Sequence, residues 1–107
     1  MIKFTSEQIE GIKKLLRKKI FYLLLIVDPE TSKQEQYMNV DVDAAFENLL
    51  SDLDGFNEIF SESVEMVTIS GKLAKAYKEY KSSSFNFKKY RKLILDAGSE
   101  VIKMGGG

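Results

Sequence analysis

Between Thr5 and Asp28 the apolar residues Ile9, Ile12, Leu16, Ile20, Leu23 and Val27 recur at steps of 3, 4, 4, 3 and 4. That spacing puts six side chains on one face of an α-helix and cannot place them on one face of a strand. The same stepping recurs three more times. Val42, Phe46, Leu49, Leu53, Phe56 and Phe60 form a second stripe, and Met66, Ile69, Leu73, Ala76 and Tyr80 a third, flanked by Val67 and Tyr77. Phe87, Tyr90, Ile94, Ala97, Val101 and Met104 form the fourth. Four helices that are each apolar along one stripe must bury those stripes against one another. The expected fold class is therefore all-α, an antiparallel four-helix bundle. Its expected helices span 6–27, 42–55, 61–81 and 87–104, with a long polar loop at 28–40 and one domain over 1–104.

Local signals set the boundaries. Thr5 and Gln8 have the spacing of a capping box, with Phe4 and Ile9 at the staple positions. Asp28-Pro29 should stop the first helix, because proline disfavours helical geometry in the residue before it. The second helix can start at Asp41 or Asp43. Gly55 should break or kink it, at a cost of about 1 kcal/mol inside a helix. The third helix should end in Ser82-Ser83-Ser84. Asn86 is the expected N-cap of the fourth, with Phe85 and Tyr90 as its staple pair. Gly105-Gly106-Gly107 is read as a flexible tail. The one structural alternative is a hairpin pairing Phe21–Val27 with Tyr37–Val42 across the intervening loop.

Composition narrows the chemistry. Among 107 residues there is no cysteine and no histidine. Disulfides, thiolate metal sites, Ser/His triads and the commonest general base are thus excluded, and the lack of cysteine fits a reducing compartment. No phosphate-binding glycine loop, nucleophile elbow or metal-ligand spacing is present. The expectation is a protein without enzymatic activity or cofactor. Asp52-Leu53-Asp54-Gly55 is reminiscent of a calcium loop. With Gly55 at the sixth position, however, Leu50 and Ser61 fall where the first ligand and the bidentate glutamate belong. The longest apolar run, Ile20–Val27, is eight residues against about 20 needed to span a bilayer. With no leader-like pattern at Met1, a cytoplasmic location is expected.

Equal numbers of acids and bases conceal a segregation. Residues 1–27 carry +4, residues 28–66 carry −10 and residues 67–107 carry +6. Three surfaces follow from it. The acids Asp43, Glu47, Asp54, Glu58, Glu62 and Glu65 fall near one line if the second and third helices are nearly continuous. They make either a solvated face or a dock for a basic partner. The segment Lys72–Lys92 interleaves Lys72, Lys75, Lys78, Lys81, Lys88, Lys89, Arg91 and Lys92 with Tyr77, Tyr80, Phe85, Phe87 and Tyr90. This is the composition of a single-strand nucleic-acid grip. No recognised nucleic-acid motif accompanies it, and several of the aromatics belong to core stripes. No specific nucleic-acid complex at physiological salt is expected.

The third surface is the end of the first helix. Phe21, Tyr22, Leu24, Leu25 and Ile26 exceed what one core stripe needs, so this helix is central, or a second chain covers it, or it meets a lipid surface with the help of Lys13, Lys14, Arg17, Lys18 and Lys19. The small residues Gly71, Ala74, Ala97 and Gly98 would let a bulky first helix approach closely. Size and helical layout are similar to those of small bacterial immunity proteins and phage-type inhibitors, an analogy of fold with no motif matched residue by residue.

The functional expectation is a protein-interaction module: an inhibitor, immunity factor, adaptor or small subunit. It would bind another protein, or a second copy of itself, through Phe21, Tyr22 and Leu25 or through Asp43, Glu47, Asp54, Glu58 and Glu62. The alternative is a nucleic-acid accessory protein using Lys78, Lys81, Lys88, Arg91 and Lys92.

Overall fold

The starts of three of the four helices are set by side-chain caps. The structure, a computed structural model, describes residues 5–59 and 64–104. The first helix, α1, covers Ser6–Leu25. The Gln8 N–H donates to Thr5 Oγ1 at 3.1 Å and the Thr5 N–H donates to Gln8 Oε1 at 2.8 Å, so the capping box satisfies two otherwise orphaned donors. The staple partner Phe4 lies outside the described residues. Helix α2 covers Val42–Ile59, α3 Val64–Lys81 and α4 Phe87–Lys103. Asp41 Oδ1 accepts from the Ala44 N–H at 3.1 Å, which makes Asp41 the residue that starts α2. Asn86 Oδ1 accepts from the Lys89 N–H, and the Phe85 and Tyr90 rings meet at 5.8 Å as a staple.

Three boundaries differ from the sequence expectation. First, α1 stops at Leu25, two residues early. The Val27 and Asp28 N–H groups both donate to Leu24 O, and Asp28 Oδ1 then accepts from the Glu30 and Thr31 N–H groups at 2.9 and 3.1 Å. The carboxylate thus caps a turn over Pro29 and ends the helix ahead of the proline. Those N–H groups, that of Thr31 first, hold the Asp28 carboxyl below the usual carboxylate range.

Second, α2 runs through Gly55 to Ile59 without a break. A Cβ at Gly55 would meet nothing within 4 Å, so the glycine is tolerated rather than required. Helical geometry on both sides carries it, since one glycine costs less than the burial of Leu53 and Phe56 returns. Third, segment 28–40 is shaped by short 3₁₀ turns at Thr31–Lys33 and Glu35–Tyr37, with Tyr37 and Val40 packed against the core. It is not a plain loop. No strand occurs among the described residues, and residues 20–25 are helical, which removes the hairpin alternative. The expected third-helix start at 61 and the tail at 105–107 lie outside the described residues.

Pairings across the bundle show that the packed neighbours run antiparallel. Lys13 of α1 reaches the carbonyls of Ile102 and Met104, whereas Leu23 meets Tyr90 near the opposite end of α4. Asp43 at the start of α2 meets Tyr77 and Lys81 at the end of α3. Lys72 pairs with Asp96, and Tyr80 lies beside Tyr90. Helices α3 and α4 lie closest together, α1 packs chiefly on α4, and α2 is held more loosely by α3 and α1. The particle measures 43 × 26 × 20 Å.

One core runs through it. Leu16, Ile20, Leu23, Phe46, Met66, Ile69, Leu73, Tyr90, Ile94 and Val101 are essentially inaccessible. The expected stripes supply nearly all of it, while Ile12, Val42, Phe56, Tyr80 and Phe87 are only half-buried. Leu24 and Ile26, off the α1 stripe, are also buried. At its close the helix presents a wider apolar face than three or four residues in seven. Tyr90 is the polar anchor. Its hydroxyl donates to Leu23 O at 2.5 Å, satisfying a carbonyl in the last turn of α1.

The small residues do not have the role expected of them. Gly71 and Ala74 are exposed on α3, which makes no substantial packing with α1. A Cβ at Gly71 or Gly98 would touch nothing within 4 Å, so neither marks a close helix approach. Ala97 alone of the four is buried.

Candidate functional site

The outer side of α1 is set by the register that buries Leu16, Ile20 and Leu23. At about 100° per residue, that register turns Lys14, Lys18 and Phe21 outward, with Leu15 and Tyr22 toward α2 and Arg17 toward α4. Leu15, Phe21 and Tyr22 are 47, 49 and 38% exposed, which is high for large apolar side chains on a helix whose other face is fully buried. Leu25 is half-buried. The expected trio Phe21, Tyr22 and Leu25 is therefore brought together at the surface, with Phe21 and Tyr22 as its accessible members.

These residues wall a groove of ≈ 550 Å³ between α1 and α2, floored by Leu23, Ala45 and Leu49. The Tyr37 ring closes one end, 6.1 Å from the Tyr22 ring. At the other side Lys19 Nζ donates to Asp52 Oδ2 at 2.5 Å, a half-exposed ion pair that ties the two helices together. Sequence reasoning missed Leu15, Tyr37 and Lys19–Asp52. Leu15 had a local signal, because of two adjacent leucines on an amphipathic helix one must point outward. The others come from distant segments.

The acidic line is divided. Asp43, Glu47, Asp54 and Glu58 lie within about 60° of one another around α2. Its position is given by Asp43, whose carboxylate accepts from the Tyr77 hydroxyl at 2.7 Å and pairs with Lys81 at 3.5 Å. The line thus runs along the α3 shoulder of α2, around the helix from the groove that Ala45, Asn48 and Asp52 face. The Tyr77 hydroxyl and the nearby Lys81 charge hold Asp43 below the usual carboxylate range. The hydrogen bond to Asp43 pushes Tyr77 up, and the hydrogen bond to the Tyr77 hydroxyl, with the Asp43 charge, pushes Lys81 up. Glu47, Asp54 and Glu58 are exposed, Glu65 is half-buried, and Glu62 lies outside the described residues. Among the described residues no three carboxylates come close enough to hold a metal ion.

The basic segment is also split. A cleft of ≈ 520 Å³ between α3 and α4 is lined by Lys72, Lys75, Lys78, Lys89 and Lys92, with Glu79, Asp96, Ser82 and Leu93. Of the five cations expected to act together, Lys78 and Lys92 line it. Lys81 sits against Asp43 and the Tyr77 ring, 5.0 Å from the ring centroid. Lys88 and Arg91 are exposed elsewhere on α4, and the field of Arg91 reaches Asp28.

The aromatics of this segment are occupied with one another. Tyr77 stacks on Phe46 at 4.7 Å, and Tyr80, Phe85 and Phe87 all pack against Tyr90. None of them lines the cleft.

Among the described residues no helix is long and apolar enough to cross a membrane. No family model matches the chain, and no curated protein or solved structure is significantly similar to it.

Proposed function

We propose that the protein is a non-enzymatic protein-interaction module that receives apolar side chains of a partner in the groove between α1 and α2. The observation that carries this reading is the exposure of Leu15, Phe21 and Tyr22 over an apolar floor. Each of these side chains is a little under half exposed and so forfeits about 0.6–1.5 kcal/mol relative to full burial, and a fold of this size has little stability to spare. A covering surface recovers that energy. Lys14, Arg17 and Lys18 flank the patch on α1, so the fitting partner carries apolar anchors bordered by carboxylates.

A different protein fits this chemistry better than a second copy. The acids of α2 run along its α3 shoulder, so twofold self-docking would bring lysines of both copies together with few carboxylates between them. An inhibitor, immunity factor, adaptor or small subunit in the cytoplasm is the class of role that follows. The exposed Glu47, Asp54 and Glu58 would offer a further contact to a basic partner.

The test is affinity capture from the native host, comparing wild type with a Phe21→Ser/Tyr22→Ser double variant. A partner held by apolar contact should stay bound in about 0.5 M salt, where surface charge is screened over about 4 Å, and should be lost with the double variant. Circular dichroism should show both proteins equally helical. The same partners captured by both proteins would refute the reading, as would partners released from wild type by salt alone.

A further inference from the structure

We propose that the cleft between α3 and α4 binds the phosphate backbone of duplex nucleic acid, without reading base sequence. This surface is separate from the α1/α2 groove, and the inference stands independently of the protein-interaction reading.

The first observation is a charge imbalance that the fold gathers into one place. Five lysines and two acids line the cleft, a surplus of three positive charges. Only Lys72 among the five has a carboxylate within ion-pair distance among the described residues, Asp96 at 3.6 Å. Lys75 and Lys78 from α3 thus share the cleft with Lys89 and Lys92 from α4. Cations gathered from two helices in one concavity repel one another and raise the local positive potential. Residues 67–107 carry +6 by sequence, and packing α3 on α4 gathers part of that surplus in one concavity, while Glu47, Asp54 and Glu58 are exposed on α2, which does not line the cleft. An anion seated in the cleft relieves the repulsion.

The second observation is extent. Lys72 to Lys78 spans about 9 Å of helix axis at 1.5 Å per residue. Along one strand of a duplex the phosphates are spaced about 3.4 Å along the axis, so about three of them pass within that length. A single small anion would leave most of the lysines unused.

The third observation selects duplex over single strand. Gripping a single strand requires aromatic faces on which bases stack. Here Tyr77, Tyr80, Phe85 and Phe87 are packed on Phe46 or Tyr90 and none lines the cleft. What the cleft offers is charge alone, which serves a regular phosphate array. The lysines that line it are point charges suited to phosphates rather than to the fixed donor–acceptor pattern of base edges, so sequence is not read.

The experiment is fluorescence anisotropy with a labelled duplex of about 20 base pairs, longer than the 43 Å particle at about 3.4 Å per base pair. With about three phosphates engaged, affinity should fall about 40-fold between about 50 and 200 mM salt, leaving little binding at physiological salt. Two duplexes of unrelated sequence should bind alike, and a single strand of equal length more weakly.

Lys89→Glu/Lys92→Glu should weaken binding at least about tenfold and lower the salt slope by about two. Lys89→Gln/Lys92→Gln should do the same more mildly. A control with the same charge change as the glutamate pair, Lys33→Glu/Gln34→Glu/Gln36→Glu on the exposed 28–40 segment, should bind as wild type does. Helical circular dichroism must be unchanged in all of them.

No binding at about 50 mM salt would overturn the proposal, since the electrostatic contact is strongest there. So would equal weakening by the control, which would make net charge the cause. Tighter binding to vesicles containing phosphatidylserine than to the duplex would assign the surface to anionic lipid instead.

Discussion

Replacing Tyr90 with phenylalanine removes one oxygen from the interior and tests what holds α1 to α4. The Tyr90 side chain is wholly inaccessible, and its hydroxyl donates to Leu23 O at 2.5 Å. No nearby backbone N–H takes that carbonyl over, because Ile26 donates to Tyr22 O while Val27 and Asp28 donate to Leu24 O. The ring contacts with Phe46, Tyr80, Phe85 and Phe87 survive the substitution, so little packing is lost. What remains is a carbonyl without its donor beneath a ring, at a cost of about 1–3 kcal/mol. For a chain of this size that lowers Tm by about 5–20 °C.

Thermal and urea melts followed by circular dichroism read the change directly, and the urea slope should stay constant because the exposed area does not change. The pH dependence gives a second reading. Burial, with a smaller contribution from Tyr80, raises the Tyr90 pKa above that of an unfolded tyrosine. Above pH about 10 the unfolded chain gives up that proton while the folded chain retains it. Stability therefore falls by up to about 1.4 kcal/mol per pH unit until the folded group titrates. Wild type should lose stability faster than Tyr90→Phe over that range. A Tyr90→Phe protein melting within about 2 °C of wild type, with the same alkaline slope, would refute the reasoning.

Gly55→Ala should stabilise the protein by about 0.5–1 kcal/mol, because α2 is continuous there and the added methyl meets open space. A lower Tm would mean that α2 does bend at this glycine. Lys13→Met should cost about 0.5–1.5 kcal/mol, since Lys13 Nζ caps the end of α4 through Met104 O at 3.0 Å and Ile102 O at 3.4 Å. A urea midpoint equal to that of wild type would show that the contact contributes nothing. Asp43 has its folded pKa lowered by the Tyr77 hydroxyl and Lys81, so its stabilising contribution is complete above the unfolded pKa and is lost as pH falls through the folded one. The melting temperature of Asp43→Asn should accordingly converge on that of wild type in acid, and a gap that widens below pH about 4 would contradict the assignment.

The sequence by itself determined most of what depends on neighbours within about one helical turn, the end of α1 and the passage of α2 through Gly55 excepted. The four apolar stripes (Phe60 of the second lies outside the described residues), the Thr5–Gln8 box, the Asn86 cap and the Phe85–Tyr90 staple each involve residues three to five apart, and the described members are found as the spacing predicts. Packing four amphipathic helices then leaves few arrangements, so the bundle itself was legible. So was the surplus of apolar side chains at Phe21 and Tyr22, because the register of Leu16, Ile20 and Leu23 turns them outward.

Tertiary structure decided whatever depends on the rotation of one helix against another. Tyr90 finds Leu23 across 67 residues, Lys13 finds Met104 across 91, and Lys19 finds Asp52 across 33. No local pattern encodes such pairs, since rotating α1 by one residue, about 100°, would exchange every partner. The same rotations divided the run Lys72–Lys92. Five lysines went to the α3/α4 cleft, Lys81 to Asp43, and the aromatics to a cluster around Tyr90. Gly55 marks a further limit. A single glycine weakens a helix by about 1 kcal/mol in isolation, but Leu53 before it and Phe56 after it both pack on the core and carry α2 past it.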